Sequence, residues 1–181
     1  TYKQIWNNPV ELTKSIYTDV YQSIIDKSKT FYITDKADGV RSFVVIVPNK
    51  GELKVLSPND DIAKFEISAT GNINECIFDA EIIGGKIYIF DVIVYNGNII
   101  DKMPFSKRLD LMNKMPKLSP NITIKKFTML SSSPKKIEAA IKSQQTDREN
   151  KEYDTDGFIL TSADESYSKT SHYKWKPIEN T

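Results

Sequence analysis

The sequence predicts a mixed, mostly antiparallel α+β fold with helices flanking the sheets. Short β-branched and aromatic runs follow one another through the first half of the chain and return near its end, and segments of helical period separate them. Turn residues between neighbouring runs make hairpins the natural connection.

Taken in order, residues 9–27, "PVELTKSIYTDVYQSIIDK", carry Leu12, Ile16, Val20 and Ile24 at a spacing of four. Pro9 and Glu11 suit the start of an amphipathic helix there. Strand-like runs come next: "TFYITD" (30–35), "RSFVVIVP" (41–48), "ELKVLSP" (52–58), "CIFDAEII" (76–83) and "KIYIFDVIVY" (86–95). "NKGE" at 49–52 reads as the turn of one hairpin and "GG" at 84–85 as the turn of another. The period then changes. "PFSKRLDLMNKMPKL" (104–118) reads as a helix broken by Pro116, and "ITIKKFTML" (122–130) as one strand. In 133–151 a capping Ser and a Pro open a helix with Ile137, Ala140 and Ile141 on one face. "GFILTS" (157–162) and "HYKWKP" (172–177) complete the β-structure.

Composition narrows the function. The chain has 181 residues, 39% hydrophobic and 27% charged, as expected of one globular domain or slightly more. Lys+Arg 25 against Asp+Glu 24 leaves +1, so any polyanion contact must come from a local patch. Cys76 is the only cysteine, which excludes a disulfide framework and a cysteine metal cage and fits a reducing, intracellular setting. No run approaches the ~20 apolar residues of a membrane span, and "TYKQIWNNP" has no signal-peptide pattern. A start at Thr1 leads us to expect a fragment or a processed product, and the abundance of Lys, Asn and Ile leads us to expect a viral source.

Four charged clusters are each tied to an apolar strand: "DKADGVR" (35–41), "FDAEII" with "YIFDVIVY" (78–95), "YDTDGFIL" (153–160) and "YKWKP" (173–177). One lysine or aspartate beside a strand is most often a solvated turn. Together, however, they supply cations and carboxylates from strands distant in sequence, the parts of an anion clamp or a hard-metal site. His172 and Cys76 suggest no role beyond structure.

In this order the clusters resemble the motifs of the covalent nucleotidyltransferases: ATP-dependent DNA ligases, RNA ligases and mRNA capping guanylyltransferases. Lys36-Ala37-Asp38-Gly39-Val40-Arg41 is similar to KxDGxR, and "FDAEI" to a DGEL-type motif with Ala in place of Gly. "YIFDVIVYNG" resembles the aromatic strand that follows, "TDGFIL" the (D/E)GLI motif and "YKWKP" the closing lysine strand. "TDGFIL" with "YKWKP" is most similar to the capping guanylyltransferases.

The resemblance implies a nucleotidyltransferase (ATP-grasp-like adenylation) fold over residues 1–181, without the family's OB-fold domain and its arginine-bearing motif. It implies Lys36 as the nucleophile that takes GMP from GTP and passes it to a 5′-diphosphate RNA. Lys174 and Lys176 would hold phosphates, Arg41 the ribose, Glu81 a ribose hydroxyl or a metal, and Asp156 a Mg²⁺ or Mn²⁺ ion. Phe90 would stack the base, and Lys125 or Lys126 would reach the guanine O6. Triphosphatase and methyltransferase domains are expected neighbours, in the cytoplasm or the nucleus. An ATP-dependent ligase adenylation domain and a catalytically silent binding domain remain open as alternatives. Chemically, a lysine attacks phosphorus only as the free amine, a form held by roughly one free lysine in a thousand near neutral pH. Enclosure of Lys36 between strands, with Lys174 and Lys176 nearby, is expected to favour that form.

Overall fold

The computed structural model describes residues 7–47, 52–56, 62–66, 73–149 and 152–176. The "NKGE" turn and Pro177 therefore lie largely or wholly outside the described residues. The chain divides into two compact units, one holding Asn7–Asp38, Lys126–Glu165 and 169–176, the other Gly39–Lys125 and Ser166–Ser168.

In the first unit, β1 (Val10–Glu11) precedes α1 (Lys14–Ile25), and β2 (Phe31–Ala37) follows. The helix starts later than the apolar spacing suggests, because residues 10 and 11 are drawn into parallel pairing with β12 (His172–Trp175), with Val10 opposite Tyr173. Thr13 is the N-cap, its hydroxyl accepting from Ile16 N–H at 3.3 Å. With β10 (Thr128–Leu130) and β11 (Thr155–Ser162), these strands form a sheet of order β1-β12-β11-β2-β10. Val20 and Ile24 of α1 and Ile137 and Ala140 of α3 (Pro134–Glu149) pack on Phe31, Ile33, Leu130, Phe158 and Leu160. Burying each of the larger side chains is worth ~1.5–3 kcal/mol. Gln144, one further turn along α3, is also buried and donates to the carbonyls of Ile33 and Lys126 and to the Thr128 hydroxyl. Strand alternation sends Phe31, Ile33 and Asp35 to one face of β2 and Lys36 to the other.

The second unit is a seven-stranded sheet. It contains β3 (Val40–Val47), β4 (Glu52–Leu56), β5 (Ile62–Glu66), β6 (Cys76–Ile83), β7 (Lys86–Tyr95), β8 (Asn98–Ile99) and β9 (Ile122–Ile124). Its order is β5-β4-β3-β6-β7-β8, with β9 parallel to β7. The expected "GG" turn joins β6 to β7, with Gly84 and Gly85 at φ +56° and +77°, values that suit a two-residue hairpin and disfavour other residues. α2 (Phe105–Lys114) stops two residues before Pro116, as read from the sequence. The run 122–130 does not form one strand. Residues 122–124 pair with β7 and residues 128–130 with β2, so its two halves belong to different sheets. Among the described residues, no helix is long and apolar enough to cross a membrane.

Candidate functional site

In the first unit, the chemistry gathers where β2 meets β11. Thr155 pairs with Ala37 and Phe158 with Asp35, so Asp156 and Gly157 together oppose the single residue Lys36. This is a β-bulge, a device that bends a strand and is common beside active sites. Gly157 sits at φ +140°, and a Cβ there would lie 2.5 Å from the Trp175 carbonyl oxygen. Only glycine fits. Across the bulge, Lys36 Nζ donates to Asp156 Oδ1 at 2.7 Å, and Lys176 Nζ stands 3.4 Å from Asp156 Oδ2. Burial works against the Asp156 charge, but the hydrogen bond and charge of Lys36, with Lys176 adding, hold its carboxyl below the usual carboxylate range.

Lys36, Lys174 and Lys176 line one recess of about 280 Å³ together with Glu11, Leu12 and Trp175. The Lys174 side chain has no hydrogen bond or ion pair among the described residues. Three lysines thus line one recess, and two of them, Lys36 and Lys176, also meet the Asp156 carboxylate. Asp35 holds this arrangement from behind: it is buried, and the Tyr153 hydroxyl donates to its Oδ2 at 2.8 Å, tying the segment before β11 to the residue before Lys36.

Sequence reasoning expects a lysine sealed between strands and surrounded by cations. Instead the Lys36 side chain keeps 23% of its exposure, and its closest partner is the Asp156 carboxylate. The bulge is the reason, since it opens β11 opposite Lys36 and sets Asp156 there.

In the second unit, the register pairs Arg41 with Glu81, and Asp79 lies two residues before Glu81 on the same face of β6. Arg41 grips Asp79 through Nε on Oδ1 (3.0 Å) and Nη2 on Oδ2 (2.6 Å). Burial opposes the Arg41 charge, but Asp79 more than restores it and raises the group above its ordinary value. β7 is also bulged here: Asp91 pairs with Asp79 and Ile89 with Ala80, leaving Phe90 as the extra residue. Its ring is half-buried rather than a core ring, and the Arg41 guanidinium carbon lies 5.4 Å from its centroid. Gly39, which opens this unit, is again dictated by space, since a Cβ would lie 2.5 Å from Ile83 Cγ1 and 2.7 Å from the Ile82 carbonyl oxygen.

Of the two lysines in "IKKF", Lys126 is paired with Asp147 at 2.6 Å and mostly exposed. Lys125 is buried in the second unit, directly after Ile124, the register partner of Ile89. His172 exchanges a hydrogen bond with Thr161 on the neighbouring strand, and buried Cys76 is held by the Asn96 amide and the Asn74 carbonyl.

Sequence reasoning missed four participants. Asp79 was legible, because its spacing from Glu81 puts both on one strand face. Tyr167, whose hydroxyl donates to Asp79 Oδ2 at 2.6 Å, gave no sign within "ESYSKT". Arg108 and Asp91 form a fully buried bidentate pair, at 2.8 and 3.0 Å, that fixes α2 to β7.

The chain is similar to known proteins in sequence and in fold. The chain matches the family model for the catalytic domain of mRNA capping enzyme over residues 8–178. The mRNA-capping enzymes of a Kenyan pig isolate and a South African tick isolate of African swine fever virus are 30% and 29% identical to it. Each alignment covers 94% of this chain and 19% of the relative, so the chain spans about a fifth of the length of these proteins. Among solved structures, the ligase domain of M. tuberculosis LigD superposes with a TM-score of 0.55 at 13% identity, over 81% of this chain and 53% of its own. Pmar-Lig_PreS3 gives 0.57 at 15%, over 94% of this chain and 46% of its own. At such identities the likeness is one of fold, that of ligase nucleotidyltransferase domains.

Proposed function

The chain belongs to the mRNA capping enzyme catalytic-domain family, and from that premise we propose that it acts as a GTP:mRNA guanylyltransferase with Lys36 as its nucleophile. The observation that carries this reading is the Lys36–Asp156 contact at 2.7 Å, made in a recess that Lys174 and Lys176 also line.

In the first step the Lys36 amine attacks the α-phosphorus of GTP. A P–N bond forms, the bond from that phosphorus to the α–β bridging oxygen breaks, pyrophosphate leaves with the electron pair, and the amine gives up a proton. Lys174 and Lys176 offset the negative charge that builds on the phosphates. In the second step a terminal oxygen of a 5′-diphosphate RNA attacks the same phosphorus. The P–N bond then breaks and returns the lysine, leaving a GpppN end. Before the first step Asp156 must exchange Lys36 for another partner.

Asp156, ionised and nearly half exposed, suits a Mg²⁺ or Mn²⁺ ion that takes one protein carboxylate and several phosphate oxygens. Among the described residues no group of three or more His, Cys, Asp or Glu could cage a metal by itself. Bound with the triphosphate, such an ion would supply positive charge to the phosphates and a competing partner for Asp156. In the second unit we assign Arg41 to the ribose, Phe90 to the base, and Glu81 to a ribose hydroxyl or the metal. Lys125 rather than Lys126 is our donor to the guanine O6, because it lies in the same unit as Phe90, directly after Ile124, the register partner of Ile89. Triphosphatase and methyltransferase activities elsewhere in a longer protein, within the cytoplasm or nucleus, complete the proposal.

The test is incubation with α-labelled GTP or ATP and divalent metal, followed by a denaturing gel. The parent should carry label from GTP in strong preference to ATP, and Lys36→Ala and Lys36→Arg should carry none, since guanidinium stays protonated. An acid-labile adduct surviving in Lys36→Ala would overturn the assignment, and equal labelling by ATP would favour a ligase-type adenylation domain.

A further inference from the structure

Tyr167 belongs to none of the motifs, yet it touches the group that holds Arg41. It sits in a single 3₁₀ turn, Tyr167–Lys169, its side chain is buried, and its N–H donates to the Asp101 carbonyl at 2.8 Å. The Arg108 guanidinium carbon lies 5.8 Å from its ring centroid. Its hydroxyl meets Asp79 Oδ2 at 2.6 Å, the same oxygen that accepts from Arg41 Nη2 at 2.6 Å, while Oδ1 accepts from Arg41 Nε at 3.0 Å.

We propose that Tyr167 is a positioning residue for ribose recognition, acting through Asp79 on the plane of the Arg41 guanidinium. A carboxylate that binds both edges of a guanidinium sets its orientation, but only if the carboxylate itself cannot turn. Asp79 is completely buried, so no bulk water is at hand to restrain it. The third donor, from Tyr167, supplies the restraint. Burial and then the Asp79 charge push the phenol well above its ordinary value, so it stays a donor at every working pH. Without it the carboxylate can rotate and carry Arg41 off its place above Phe90.

The inference rests on Arg41 being the ribose contact, and the test separates the two. In the full-length protein, adduct formation is measured with GTP, 2′-deoxy-GTP and 3′-deoxy-GTP for the parent, Tyr167→Phe and Arg41→Lys. Rates are normalised to the fraction of enzyme able to form the adduct. Tyr167→Phe should reduce the preference for GTP over the more strongly rejected deoxy analogue about five- to tenfold, the scale of one hydrogen bond. The loss should enter through a higher half-saturating GTP concentration, with the maximal rate within about twofold. A lowered melting temperature with an unchanged ribose preference would show that Tyr167 is merely structural, and would overturn the proposal. If Arg41→Lys removes the preference while Tyr167→Phe retains it, the proposal also fails and the reading of Arg41 stands. No ribose preference in the parent, or one untouched by Arg41→Lys, overturns both.

Discussion

At the scale of single residues, Asp156 is the group whose charge state matters most. Its carboxyl is held below the ordinary value of 3.8 chiefly by Lys36 and then Lys176, against a burial effect of opposite sign. A carboxylate with a lowered folded-state pKa contributes stability that is present above the unfolded value and lost as pH falls through the folded one. Urea midpoints should therefore separate the parent from Asp156→Asn at neutral pH, and the gap should close as pH drops below about 4. The gap will be modest, because the side chain is 43% exposed and solvent screens the pair. A gap that stays constant down to pH 2 would mean that the Lys36 contact carries none of it.

At the scale of elements, the buried Arg108–Asp91 pair joins α2 to β7, the strand that also carries Phe90. Arg108 donates in addition to the Met103 carbonyl at 2.6 Å, so all three guanidinium nitrogens have a partner. Removing one partner leaves a buried charge alone, at a cost of about 3–5 kcal/mol. Arg108→Met should lose about that much in urea unfolding, and combining it with Asp91→Asn should recover part of the loss. Strict additivity of the two changes would disprove the coupling. Much at this scale was legible in the sequence. β2, β3, β6 and β7 follow runs of β-branched and aromatic residues, and Gly84–Gly85 is one of the few pairs that favour left-handed backbone at both turn positions. The late start of α1 was not legible, because it depends on Val10 and Glu11 finding β12 some 160 residues away. Nor was the division of 122–130, whose pattern does not reveal that its halves serve different sheets. The site was legible where residues fell into spaced motifs, as Lys36, Asp156 and Lys174 do. It was silent on Tyr167 and Arg108, whose roles come from tertiary placement alone.

For the whole molecule, 25 basic and 24 acidic residues nearly cancel, so net charge alone does not draw RNA to the surface. Under the proposed function, recognition falls instead on the end of the RNA, at the three lysines of the recess. For a single strand the salt slope of affinity is about −0.7 per phosphate neutralised, which gives about −2 for three contacts. A titration of this chain with 5′-diphosphate RNA across salt should find that shallow slope, and one steeper than about −4 would require a basic track beyond the recess. The two glycines beside the chemistry have a different kind of consequence, an evolutionary one. Gly39 and Gly157 are fixed by the backbone oxygens of Ile82 and Trp175, which are parts of the fold itself. A descendant released from catalysis would be free to drift at Lys36 and Asp156 and would still keep both glycines. Glycines at these two places in a distant sequence would therefore report the scaffold alone, and only the lysine would report the chemistry proposed for it.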